Sequence, residues 1–141
     1  MNLNIPYMET DNKLLNDAYR IAAGDIVGNI VYYQNGLLTE EKPCMIAGLD
    51  YNTPWTRDTA INIWNALSIL SPEVSKNTLL AVLEEEEGNI YIGGQYWDSI
   101  IWMIGAREYC RFHKDDNFYR LAFKAGRNSV HRLEEDEFDE E

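Results

Sequence analysis

Cysteine, histidine and proline are all scarce in this 141-residue chain, which has two, two and four of them. Cys44 and Cys110 lie far apart and form no Cys-x-x-Cys pair, so neither a metal knuckle nor a redox centre is indicated. Buried free thiols are the simpler reading. His113 and His131 stand among charged residues near expected helix ends, which makes them poor metal ligands or bases. No metal or other cofactor is therefore expected. Long apolar runs are missing too: nothing approaches the roughly 18 residues of a membrane span, so no membrane partner is expected. The opening Met1-Asn2-Leu3-Asn4-Ile5-Pro6 lacks a basic region followed by an apolar one. It does not read as a secretory signal, which favours the cytoplasm while leaving the compartment open.

Positive charge is also in short supply. The formal net charge is −12, from 24 acids against 12 Lys and Arg. Eleven of the acids fall in two runs, Glu84 to Glu87 and the tail from about 134 to 141, so the remaining body is close to neutral. Without a basic patch to displace counterions, nucleic acid is excluded as a natural partner. The acidic runs themselves read as solvated ends.

What the chain has in quantity is apolar and aromatic material, 45% and 12% of residues, enough for one domain with a real core. Helical spacing dominates. Leu14, Leu15, Ala18, Tyr19, Ala22, Ile26 and Ile30 recur at three- and four-residue steps, predicting a first helix from Asp11 to about Tyr33. The period then disappears from 34 to 54, where Asn35-Gly36, Pro43, Gly48 and Asn52 mark a long loop, with a short hairpin around Cys44-Met45-Ile46-Ala47. Loops of that length in compact domains are often functional.

A second helix is expected from about Thr56 to Leu70, apolar around nearly its whole circumference and hence buried. Ser71-Pro72-Glu73 supplies an N-cap, a first-position proline and a first-turn acid, starting a third helix that runs to about Leu83. After a loop from Glu84 to Gly94, a fourth helix runs from about Gln95 or Tyr96 to His113. Asp115-Asp116 begins a fifth, amphipathic helix from about Asn117 to Glu134. The fold expected is thus all-α, a single helical domain over 1–141 with about five helices in antiparallel hairpins.

Two short segments carry the chemistry. Thr53-Pro54-Trp55-Thr56-Arg57-Asp58 and Gln95-Tyr96-Trp97-Asp98 each join an aromatic ring to a carboxylate at the start of an apolar helix. An aromatic face packs on the C–H face of a sugar while a carboxylate accepts from its hydroxyls. Short connections make neighbouring helices antiparallel, so the second and fourth point the same way and their N-termini share one end of the domain. Trp55, Arg57, Asp58, Gln95, Trp97 and Asp98 then form one candidate carbohydrate pocket. The plainer reading of Asp58 and Asp98 is that they favour helix starts through the dipole, by roughly 0.3–1 kcal/mol each. Trp55 and Trp97 would then be packing residues.

Pro54-Trp55-Thr56-Arg57-Asp58-Thr59, then Gln95-Tyr96-Trp97-Asp98-Ser99-Ile100-Ile101-Trp102, then Ala106 through Tyr109 to Asp115, Asp116 and Phe118, resemble the N-terminal part of the six-hairpin, (α/α)6-barrel glycoside hydrolases. The nearest groups are the glycogen-debranching, amylo-α-1,6-glucosidase-like, glucoamylase and trehalase-like enzymes. The resemblance implies a partial (α/α)6 toroid, and a sugar held by Arg57 and Asp58 with Trp97 and Asp98 lining the same pocket. It also implies that the general acid and base lie beyond Glu141, so the catalytic residues are unknown and hydrolysis by this chain alone is little expected.

A toroid of that kind has about twelve helices, and five would leave apolar flanks on the inner ones. Self-association or a complementary polypeptide is the partner expected there. Two other readings stand beside sugar binding. One is a helical interaction or assembly module in which the tryptophans contact a partner and the acids cap helices. The other is a complete small hydrolase using Asp58 and Asp98 as its carboxylate pair.

Overall fold

The computed structural model describes residues 5–137. The first helix, α1, spans Lys13–Gly28, with the Asn12 side chain accepting from the Leu14 and Leu15 amides. Strand β1 (Ile30–Tyr33) pairs antiparallel with β2 (Lys42–Met45), Ile30 opposite Met45 and Tyr33 opposite Lys42. The rod α2 is continuous through Thr56–Asn62, a π-helical turn Ile63–Leu67, and Ser68–Leu70. Helix α3 is Pro72–Ala81, started by the Ser71 hydroxyl accepting from the Val74 amide. A hairpin follows, β3 (Leu83–Glu86) against β4 (Asn89–Ile92), then α4 (Asp98–Phe112) and α5 (Asp116–Glu137).

The architecture is mixed α/β, which corrects the all-α expectation. Five helices are accompanied by two separate two-stranded antiparallel sheets among the described residues. The first correction lies at the end of α1. Gly28 and Asn29 stop the helix, and the β-branched and aromatic run Ile30-Val31-Tyr32-Tyr33 is extended, although its apolar residues continue the helical phase. Four residues of the loop expected over 34–54 form its partner β2, so the hairpin is made with β1 and not within the loop. The loop expected over Glu84 to Gly94 is likewise a hairpin. Glu87 and Gly88 sit at φ 51° and 78°, the left-handed pair that a two-residue turn matching strand twist requires. Of the acidic tail, Glu134 to Glu137 belongs to α5, and 138–141 lie outside the described residues.

One core joins the helices to both sheets. Trp102 of α4 is its largest fully buried side chain, packed near Phe118 of α5, with the indole N–H donating to the Leu79 carbonyl at 3.3 Å. Ile63, Leu67, Val74, Leu79, Leu83 and Ile92 surround it. The expectation that α2 is buried all round is corrected as well: Ile63 and Leu67 face the core, whereas Ile61, Trp64 and Ile69 are exposed. The Asn65 side-chain amide donates to the Ile61 carbonyl at 2.9 Å, inside the segment where the rod widens to π-helical spacing. No residue of helix α1 is fully buried, and Ile26 is its partly buried contact with this core.

Close packing of α2 on α4 positions the site. A Cβ on Gly105 would stand 2.7 Å from the Ala60 Cα, so glycine is what allows the two backbones to approach this closely. The helices run side by side in the same direction: Arg57 meets Asp98 at one end, and the His113 ring nitrogen lies 2.6 Å from the Ser68 carbonyl at the other.

Candidate functional site

The N-termini of α2 and α4 meet over the segment Gly93 to Trp97. Thr56, at the first position of α2, donates its hydroxyl to the Gly93 carbonyl at 2.7 Å. Gly94 has φ +116°, a conformation open to glycine, and a Cβ there would stand 2.9 Å from the Asp98 Cβ and 3.1 Å from the Thr56 Oγ1. These contacts fix the connection against both helices at once. Tyr96 follows in the left-handed region, φ 47°, where a bulky side chain is costly by about 1–2 kcal/mol. Its ring is turned outward and exposed.

Asp98 is the hinge of the arrangement. It is only 9% exposed, and both of its carboxylate oxygens are engaged. Oδ1 accepts from Arg57 Nε at 2.9 Å, and Oδ2 accepts from the Gln95 backbone amide at 3.1 Å. The second bond closes the turn that opens α4, with the Asp98 amide donating back to the Gln95 carbonyl at 3.0 Å. Each oxygen keeps a further lone pair, so Asp98 is a positioned acceptor. Arg57 in turn lies over the Trp97 ring, its Cζ 4.5 Å from the centroid, in cation–π contact.

The six expected residues do not form one enclosed pocket. Arg57, Trp97 and Asp98 are in direct contact, and the Gln95 backbone joins them. Trp55 stands at the residue before α2, half exposed, with its ring edge-on to Tyr51 at 5.5 Å. Asp58 lies in the first turn of α2, half-buried, and takes no ion pair or side-chain hydrogen bond among the described residues. Gln95 is exposed and also lines a neighbouring depression. The result is an open rim whose two indoles, Trp55 and Trp97, are 55% and 51% exposed.

Sequence reasoning missed that neighbouring depression. Glu84, Tyr91, Ser99, Arg132 and Asp136 line it together with Gln95 and Tyr96. They come from the unexpected hairpin, from the first turn of α4 and from the last turns of α5, three stretches far apart in the chain that no spacing rule links. The run Asn89-Ile90-Tyr91-Ile92 after Glu87-Gly88 was the available signal, a turn followed by strand formers.

Other titrating groups sit away from the rim. Burial pushes the Cys44 thiol up to about 12, so it is inert in the folded chain. Burial likewise pushes the Tyr109 hydroxyl up to about 12, with the Asp115 charge adding to it. Asp115 itself is held below the ordinary aspartate range by the Lys76 ammonium at 2.6 Å and by the Phe118 amide that it caps at 3.0 Å. None of the described helices is long and apolar enough to cross a membrane.

Comparison with family models, with curated proteins and with solved structures gives no match to this chain. The functional reading therefore rests on the geometry of the rim and on the chemistry of its residues.

Proposed function

We propose that this domain binds a glucoside-type sugar on the rim formed by Trp55, Arg57, Asp58, Gln95, Trp97 and Asp98, holding the ring without cutting it. The observation that carries this reading is the state of Arg57. Its Nε is taken by Asp98 and its plane is held over Trp97, while its terminal nitrogens take no partner among the described residues. A guanidinium fixed in this way presents oriented donors to adjacent hydroxyls without losing much side-chain freedom on binding. Trp97 and Trp55 supply exposed apolar faces, and Asp58 supplies an uncommitted acceptor in the same first turn as Arg57. The resemblance of Trp55-Thr56-Arg57-Asp58 and Trp97-Asp98 to the six-hairpin glycoside hydrolases supports a glucoside as the sugar class.

Binding without turnover follows from the carboxylates. Glycoside hydrolysis needs an acid and a base or nucleophile on either side of the bond. Asp98, one of the two candidates, has both oxygens engaged in holding Arg57 and the start of α4.

A second reading is favoured by a different observation. Ile61, Trp64 and Ile69 of α2 and Leu14, Leu15 and Ile21 of α1 are exposed, apolar side chains that an assembly would cover. On this reading the chain is an assembly module, joined to a second copy or to a complementary helical polypeptide. Titration of glucose, maltose and trehalose with tryptophan fluorescence separates the two. The sugar reading expects a saturable change lost in both Trp97→Ala and Arg57→Ala. An absence of response to all three sugars, with a mass that rises with concentration, favours assembly instead.

A further inference from the structure

Charge is unevenly placed along the last two helices. Seven of the 12 Lys and Arg lie between 107 and 132, a stretch with only three acids, in a chain whose net charge is −12. Arg107, Arg120, Lys124 and Arg127 join no ion pair among the described residues, whereas Glu108 holds Arg111 and Glu86 holds Arg132. Beside these cations Tyr119 and Phe123 of α5 are 58% and 64% exposed, over a shallow depression against α4 that Met103, Ala106 and Cys110 also line. Exposed rings among unpaired cations make a surface suited to an acidic contact.

The complement to that surface lies on the same helix. At 3.6 residues per turn, Arg120, Lys124, Arg127, His131, Glu134 and Glu135 fall in one stripe about 100° wide, and all six are exposed. The stripe is basic over its first half and acidic over its second. Glu135 joins no ion pair among the described residues, and Glu134 meets His131 alone, at 3.3 Å. The opposite side of α5 is committed to the fold: Phe118, Ala125 and Ser129 are buried, and the Ser129 hydroxyl accepts from the Ile92 amide at 2.8 Å.

We infer that this stripe is the interface of a homodimer in which α5 of one copy lies antiparallel along α5 of the other. A two-fold axis level with residue 129 sets Lys124 opposite Glu134 of the partner copy and Arg127 opposite its His131, and symmetry makes each contact twice. A parallel pair would set like charges together. A nucleic acid fits less well, because a phosphate chain following Arg120 to Arg127 runs on into Glu134 and Glu135. The overall negative charge does not forbid the pairing, since at about 0.1 M salt charges more than about 10 Å apart are largely screened while ions in contact still attract. Helix α5, with 22 residues, is about 33 Å long. One helix pair of that length is a small interface, so the expected dimer is weak, with a Kd on the order of 10 μM. The face is distinct from the exposed side chains of α1 and α2, and the inference is independent of sugar binding.

Sedimentation equilibrium of the full chain tests this, alongside Lys124→Glu/Arg127→Glu, Glu134→Lys/Glu135→Lys and an equimolar mixture of the two variants. The parent should be mostly dimeric at about 100 μM protein in about 0.1 M NaCl, and its Kd should rise at least about fivefold in about 0.5 M NaCl. Each variant alone should stay monomeric with an unchanged circular dichroism spectrum, because the substituted side chains are exposed. The mixture should dimerise, one stripe now being largely acidic and the other basic. A parent that is monomeric at about 100 μM overturns the inference. So does a dimer that both variants keep, which would place the contact on α1 and α2 instead. Two monomeric variants that fail to pair with each other overturn it as well, because complementarity between the halves of the stripe is then not what joins the copies.

Discussion

Asp58 and Asp98 occupy nearly the same place in sequence, each following a tryptophan by one or three residues at the start of an apolar helix. The structure gives them different work. Asp98 is nearly buried, joins α4 to α2 through Arg57, and closes its own helix start through the Gln95 amide. Asp58 is half-buried with no such partners among the described residues. The comparison teaches that one sequence pattern yields a carboxylate committed to holding the helix start and its neighbour and another left without such partners, and on the sugar-binding proposal only the second is free for recognition. Asp98 builds the rim, and Asp58 stays available on it.

Substitutions should separate them in order. Asp98→Ala removes the acceptor for both Arg57 and the Gln95 amide, and should cost about 1–3 kcal/mol in chemical denaturation together with all sugar binding. Equal stability of Asp98→Ala and the parent would break the comparison at its stronger end. Arg57→Ala should be much milder for the fold, under about 1 kcal/mol, because the pair is partly open to solvent. It should nevertheless abolish the fluorescence response, since the donors go with it.

A third helix-start carboxylate sharpens the contrast through pH. Asp115 titrates below the ordinary aspartate range in the folded chain, so on acidification the unfolded chain takes up the proton first. Its stabilisation is therefore present at neutral pH and lost as pH falls through the folded value. Asp115→Asn should be less stable than the parent at pH 7 by up to about 1 kcal/mol, with the gap closing in strong acid. A gap unchanged between pH 7 and pH 2 would remove Lys76 as its cause. The smallest effect is expected for Asp58→Asn, within about 0.5 kcal/mol in stability, but with weakened sugar affinity. Asp58→Asn that destabilises as much as Asp98→Ala would erase the distinction between the two sites.

Much of the helical frame was legible in the sequence. Apolar spacing places α2 over Thr56 to Leu70, and Ser71-Pro72 marks the start of α3 where the serine hydroxyl caps it. The strands were not legible, because four-residue strands offer little alternation to read. Ile30 to Tyr33 also prolongs the apolar phase of the preceding helix. In β3 the exposed Glu84-Glu85-Glu86 shows a solvent face on every residue after Leu83, which hides a strand inside an acidic run. The approach of Arg57 to Asp98 could be anticipated from helix direction alone. Its geometry could not, since it depends on Gly105 against Ala60 and on Gly94 against Asp98, contacts between residues more than forty or only four positions apart that share no periodic signal.

The central claim is that a sugar lies on Trp97 and Trp55, and the four indoles of the chain report on it separately. Trp102 is fully buried and Trp64 is exposed on α2 away from the helix start, so both serve as internal controls. Indole N–H resonances followed by heteronuclear NMR during a maltose titration should shift at Trp97 and Trp55 and stay fixed at Trp102 and Trp64. Four unmoved indoles, or a shift confined to Trp64, would contradict the account.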